Sequence, residues 1–445
     1  MIFVLFFAVS IMLLASIAIF KNDIIAPSCL LCGGFWFATI CGCIYNSSWN
    51  FTNFKEFWLI AMGLICFIVG ASFIQAYDNG KYTYRNCTIE LTPIYITRGR
   101  LFIYFIWQLL ILILMFLALI KNVGLSNGIA EAISIYYEAN KTGDLVYSSG
   151  ITNIMLILST SGTFLLVFVM MHNIGCGCKN DILIYLNVSM GCISSLLNGT
   201  RTAFFMYAIA CAIVFLGEKN IKSKWRGNID FNTMVKIIIF IVALMVFFNI
   251  IAFYQGRTLT TMSVLDVFVT YLGAPLKNLE LYISENHTSN SIFGGGTFYN
   301  TYTWIYEKTG VASFNVPKLN EYRFLNGKGL GNVYTIFLPL YSDFGIIGSS
   351  LVMGIIGGIS QKIYDKVKNV VTCNETNFWL IVYSYVGFAL LFSFFSNKYF
   401  EMVIARAMVY FVVGLWMFDL FFFRIRLKNS FAIEIKKLTK KRKTN

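Results

Sequence analysis

Four arginines carry the chemistry this chain could do. Arg201 follows Asn198-Gly199-Thr200 at the start of one apolar stretch, and Arg257 follows Gln255-Gly256 just after another. Arg323 sits in Glu321-Tyr322-Arg323-Phe324, and Arg406 lies inside a further apolar stretch, five residues after Glu401. At 1.5 Å per helical residue, that places Arg406 roughly 7.5 Å along its span. A bilayer tolerates such side chains poorly beside or inside an apolar stretch, so Arg201 and Arg406 above all mark candidate binding positions. A guanidinium stays charged at any working pH and grips phosphate through paired N–H donors. Four of them from distant segments, facing one side of a membrane, suit a pyrophosphate-linked lipid.

A transfer reaction also needs a proton acceptor. Asp266, Glu280, Glu285, Glu307, Glu321 and Asp343 fall on the same side as the arginines, as does His287, whose imidazole titrates near neutrality. Each of these also fits an ordinary solvated loop charge. Arg257 and Arg323 fit loop positions, Arg201 can reach outward to the interface, and Arg406 can pair with Glu401. Gly294-Gly295-Gly296 allows close backbone approach to a sugar or simply a turn.

Other chemistries lack their residues. There is no GxxxxGK[ST], no GxGxxG after a strand, no HExxH and no GxSxG. Energy for a reaction must therefore come with the substrate, and neither cofactor nor metal is expected. Cys29, Cys32, Cys41 and Cys43 mimic ligand spacing but sit in an apolar helix, where packing explains them. His172, Cys176 and Cys178 form a slightly better soft-ligand cluster, still weak for zinc.

The elements that must position these residues are membrane helices. The 445 residues are 58% hydrophobic and only 13% charged, with a mean hydropathy of +0.69. A soluble domain carries about 25% charged residues. Apolar stretches near 20 residues read as transmembrane helices. They fall at 2–20, 24–45, 57–77, 101–121, 151–171, 182–197, 202–217, 237–253, 337–360, 378–396 and 402–423. The expectation is one all-α polytopic domain over 1–445 with about eleven spans. The first stretch has no basic residue before it and no small-residue cleavage site, so it reads as a retained helix.

Basic residues set the orientation. Of 35 Lys and Arg, 23 fall in segments 21–23, 78–100, 172–181, 218–236, 361–377 and 424–445, all on one side by alternation. The positive-inside rule makes that side cytoplasmic and the amino terminus periplasmic. The 424–445 tail, rich in Lys436, Lys437, Lys440, Lys441, Arg442 and Lys443, agrees. The net charge of +14 then reflects membrane orientation and anionic lipid rather than nucleic acid. The opposite side carries a large loop, 254–336, and a medium one, 122–150. Phe298, Tyr299, Tyr302, Trp304 and Tyr306 in the large loop predict amphipathic helices lying over the membrane mouth.

The stretch Gly331-Asn332-Val333-Tyr334-Thr335 to Pro339-Leu340-Tyr341-Ser342-Asp343-Phe344-Gly345, then Gly348, resembles the end of the large loop in Wzy-type O-antigen polymerases. Gly199-Thr200-Arg201, an apolar helix and the basic turn Lys219, Lys222, Lys224, Arg226 form a second similar feature. Helix number, size and the large outward loop also fit this family of oligosaccharide repeat unit polymerases. The resemblance implies a fold like the GT-C integral membrane glycosyltransferases, in the bacterial inner membrane. It implies transfer of a growing glycan from undecaprenyl pyrophosphate onto a fresh lipid-linked repeat unit at the periplasmic face. Its partners would be that lipid-linked oligosaccharide, membrane lipid and a chain-length regulator protein. On this reading Arg201, Arg257, Arg323, Arg406 and Tyr334 contact pyrophosphate or glycan. His287, Asp343 and Glu321 are the catalytic candidates.

Two other functions compete. An O-antigen ligase shares an arginine-lined outer site but sends the glycan to a lipid core. A lipid-linked oligosaccharide flippase needs charges at mid-depth in several helices and short loops on both faces. Scarce deep charge and the long loop favour an enzyme.

Overall fold

In hydrocarbon every backbone N–H and C=O must be satisfied within its own segment, which leaves an apolar stretch of this length little choice but helix. The computed structural model of the chain describes residues 1–79, 92–124, 128–129, 131–133, 150–197, 202–223, 225, 264–285, 292–316, 319–369, 376–427 and 433–435, and six scattered residues besides. Among these, eight helices are long and apolar enough to cross a bilayer, and two shorter apolar ones match two more expected spans. The protein is an all-α polytopic membrane protein. The eleventh expected span, 237–253, falls mostly outside the described residues.

Contacts group the chain into two compact units, one of residues 1–90, 212–372 and 377–408, the other of 91–211, 373–376 and 409–445. In the first unit, α1 (Ile2–Ile19) and α2 (Pro27–Ile44) form a hairpin, followed by α3 (Phe54–Asn79). In the second, α4 (Arg98–Val123), α5 (Gly150–Gly175) and α6 (Ile182–Leu197) pack together. The helix α7 (Thr202–Lys222) belongs to both. The first unit then continues with α8 (Val264–Ser284), α9 (Tyr299–Thr309), α10 (Phe337–Lys368) and α11 (Phe378–Leu391). The last span, α12 (Arg406–Asp419), leads into a short antiparallel pair, β3 (Ile425–Leu427) with β4 (Ile433–Ile435). The rest of the basic tail lies outside the described residues.

Surface apolar residues repeat at helical spacing. Phe3, Phe7, Ile11 and Leu14 on α1, Ile65, Val69 and Phe73 on α3, and Ile347, Leu351 and Ile355 on α10 are all exposed. Such stripes are the lipid-facing sides of spans. Where helices meet, small residues bring backbones together. A Cβ on Gly70 of α3 would collide with the Gly354 carbonyl of α10, and one on Gly357 with the Phe67 carbonyl. In the second unit, buried polar side chains tie the helices instead. Tyr104 donates to the Ser159 carbonyl at 2.6 Å, and Gln108 Nε2 donates to the Tyr104 and Thr163 hydroxyls at 3.1 and 3.0 Å.

The two ends of the first unit differ. At one end Asp23, after α1, accepts from Tyr364 at 2.6 Å and Asn220 at 3.0 Å and pairs with Lys368 at 3.3 Å. This contact joins segments 21–23 and 361–369, which alternation assigns to the same side. The other end carries residues 45–53 and the large loop.

That loop holds more than the expected helices. The helix α8 runs across the end of α2: Tyr45 donates to Asp266, Gly273 meets Trp49 and Cys41, and Glu280 reaches Thr52 and Asn53. A small ribbon follows, β1 (Arg323–Leu325) antiparallel to β2 (Lys328–Gly331). Its turn residues Asn326 and Gly327 have φ of 51° and 75°. Asn-Gly favours this left-handed two-residue turn, a signal present in the sequence.

Two span limits also change. The expected 337–360 helix breaks at Gly345, φ 65° and ψ −168°, so Phe337–Phe344 form a separate segment before the main helix, with Phe337–Leu340 and Ser342 buried. Only glycine takes that conformation without strain. The expected 402–423 span starts at Arg406, after a π-helical turn at Tyr399–Val403 and a break at Ile404. Arg406 is therefore the first residue of its helix, and exposed, rather than five residues inside it.

Candidate functional site

The loop-bearing end of the first unit gathers most of the described candidates. Arg323 stands on β1 beside Tyr334, three residues past Gly331 at the close of the ribbon. Its Nε donates to the Tyr334 hydroxyl at 2.8 Å, and Nη2 donates to Glu285 Oε2 at 2.6 Å, with Nη1 on Glu285 Oε1. This is the two-pronged arginine–carboxylate geometry. The Tyr334 hydroxyl in turn donates to the Glu321 carbonyl at 3.0 Å. The Glu285 carboxylate, followed by Tyr334, pushes the Arg323 pKa upward, against the opposing effect of burial. Burial raises the Tyr334 hydroxyl as well. The expectation pairs Arg323 and Tyr334 in one site, and they do meet. Yet Glu285 already occupies the anion position on Arg323, so a phosphate there must compete with a carboxylate.

Arg406 has different surroundings. Its guanidinium lies over the Trp304 ring, 5.7 Å from the centroid, and it makes no hydrogen bond or ion pair among the described residues. Glu401 pairs with Lys398 at 2.6 Å rather than with Arg406. Trp304 is on α9, a helix with no buried residue, and its own side is 38% exposed. A cation over an open indole offers charge for phosphate and an aromatic face for a sugar ring.

A glycine turn precedes α9, the helix that carries Trp304. Gly294, φ 67°, opens it, and Gly294 through Thr297 are buried. Asp343 accepts from the Gly296 amide at 3.1 Å, the Thr297 amide at 2.7 Å and the Thr297 hydroxyl at 2.6 Å. The turn is thus a fixed structure against Asp343.

A buried charged set sits nearby on α8. Glu280 accepts from the Thr52 amide and, at 2.8 Å, from the Asn53 amide, and pairs with Lys277. Lys277 also donates to the Asn50 carbonyl at 3.3 Å. Glu56 on α3 is wholly buried, and neither of its oxygens finds a hydrogen bond among the described residues. The Lys277-x-x-Glu280 spacing was the sequence signal for this pair, since i and i+3 share a helix face. Its effect is to fasten α8 to the start of α3, and it leaves Glu280 little scope as a free base.

Glu307 and Glu321 have exposed side chains. Arg201, Arg257 and His287 lie outside the described residues. His172 is buried, with Nε2 at 2.9 Å from the Thr92 carbonyl and its ring stacked on Phe168. Among the described residues no three His, Cys, Asp or Glu gather as metal ligands. Thr297 and Asn397 carry no sequence signal, because their importance rests on contacts between segments 100 residues apart. No protein family, no curated protein and no solved structure matches the chain.

Proposed function

We propose that this protein is a metal-independent glycosyltransferase of the bacterial inner membrane, which polymerises lipid-linked oligosaccharide repeat units at the face that carries the large loop. The observation that carries this reading is Arg406 over Trp304, an exposed cation on an exposed indole in a multi-pass helical protein. The resemblance of the 331–348 stretch to Wzy-type polymerases supports it.

In the reaction, a hydroxyl of the incoming repeat unit attacks the anomeric carbon of the growing glycan. The bond from that carbon to the polyprenyl diphosphate breaks, and the electron pair leaves with the diphosphate. Arg406 stabilises the charge that develops there, a contribution that is commonly the largest in catalysis. Trp304 holds the sugar face. The hydroxyl proton passes to a carboxylate of the loop, with Glu321 the exposed candidate. The basic tail faces the cytoplasm on this reading.

The test uses the purified chain in proteoliposomes with polyprenyl-diphosphate-linked repeat units. The expected product is a ladder of multiples on the polyprenyl carrier. Transfer to a lipid-core acceptor instead makes the protein a ligase. Movement of the lipid across the bilayer without elongation makes it a flippase.

A further inference from the structure

We propose that Asp343 is a positioning residue: with Asn397 it latches the Gly294–Thr297 turn and so holds Trp304 against Arg406. The turn leads directly into α9, with Trp304 seven residues beyond Thr297. Asn397 lies nine residues before Arg406. One buried threonine joins the two segments. Its amide and hydroxyl go to Asp343 at 2.7 and 2.6 Å, and its carbonyl accepts from Asn397 Nδ2 at 3.1 Å. Thr297 is 2% exposed, so water competes weakly for these groups.

Aromatic contacts run alongside the polar ones. Phe293 meets Phe344 edge-on at 5.3 Å, next to Asp343, and Phe298 meets Phe400 edge-on at 5.3 Å, near Asn397. The turn is thereby held on both flanks, by the Phe337–Phe344 segment and by the 397–403 segment. Gly294 fits because a Cβ there would press on the Phe298 ring and its φ is positive. Hydrogen bonds to a carboxylate are roughly twice as strong as neutral ones. With both oxygens turned to the turn, Asp343 acts through Trp304 rather than on the substrate.

The proposal rests on the polymerase reading for its kinetic readout only. The full chain in nanodiscs provides two measurements. Iodide quenching of Trp304, isolated by difference from Trp304→Phe, reports the cation–indole contact without any reaction. KM and kcat for lipid-linked repeat units report its use. Asp343→Asn turns an amide donor toward the Gly296 or Thr297 N–H, and Asn397→Leu removes the donor to Thr297. Each is expected to increase Trp304 quenching; Asp343→Asn should raise KM about tenfold, the worth of about one charge-assisted hydrogen bond, and Asn397→Leu by about three- to fivefold, the worth of a neutral one, both with a smaller change in kcat. Thr297→Ser keeps both donors and is expected to retain wild-type quenching. Quenching unchanged in a folded Asn397→Leu or Asp343→Asn protein overturns the latch. So does a fall in kcat at constant KM, which would put Asp343 in the chemistry. Increased quenching in a chain that makes no polymer even as wild type supports the latch and removes the polymerase reading.

Discussion

Arg323 and Arg406 stand out in the sequence for the same reason, a guanidinium on the loop side of a membrane protein, and the fold treats them in opposite ways. Arg323 is drawn in: its side chain is 11% exposed, its fork is closed on Glu285 and its Nε is on Tyr334. Arg406 is left out, over an open indole, with Glu401 taken by Lys398. A guanidinium with a carboxylate already in its fork holds a loop together. A guanidinium with donors unengaged among the described residues is the one placed to meet an anion from outside. Residue type alone therefore does not mark a binding arginine; what has already been bound to it does.

This contrast can be broken in several ways. The largest expected effect is on activity at the open arginine. Arg406→Ala should lower chain extension by about 100-fold or more, as loss of a single charge-stabilising donor does elsewhere, while the melting temperature in detergent stays near wild type. Arg406→Lys should recover only part, because the flat fork is lost. An active, normally elongating Arg406→Ala would place the site elsewhere.

The closed arginine should show the reverse. Arg323→Ala is expected to cost about 1–2 kcal/mol of stability, discounted because Glu285 is half exposed. Glu285→Gln should cost a similar amount, and the double variant less than the sum, read from thermal melts. Tyr334→Phe removes one link in the same chain and should cost about 1 kcal/mol. Additive losses in the double variant would mean the ion pair is not what holds the ribbon.

A third arginine sets the baseline. Arg98 pairs with Asp181 at 2.6 Å, but its side chain is 81% exposed. Arg98→Ala should shift stability by less than about 0.5 kcal/mol, and added salt should erase even that. The Asp181 carboxyl is held below its ordinary pKa first by the Leu183 amide and then by Arg98. A lowered pKa adds stability above the unfolded-state value and loses it as pH falls. Its contribution is thus present at neutrality and fades only below about pH 4. A melting curve that falls between pH 7 and 5 in wild type and not in Asp181→Asn would contradict this.

The spans were readable because hydrocarbon forces helix on long apolar stretches, and ten of the eleven expected positions carry described apolar helices. Their ends were less readable. Nothing in Phe344-Gly345-Ile346 distinguishes a helix break from an ordinary helical glycine, and only the φ of Gly345 does. Arg406 looked to lie inside its span because Phe400 to Val413 is nearly all apolar, and the π-helical break before it has no compositional mark. The ribbon could have been read from Asn326-Gly327. The latch could not: Asp343, Thr297 and Asn397 are ordinary polar residues until the fold brings them together.

Equilibrium binding of a polyprenyl diphosphate lipid to the intact protein in nanodiscs tests the contrast most directly. Arg406→Ala should weaken binding by about tenfold or more, the worth of a charged hydrogen bond, and Arg323→Ala should leave it within about twofold once the protein is folded. Equal losses in both variants, or a loss confined to Arg323→Ala, would contradict the division of labour between the open and the closed arginine.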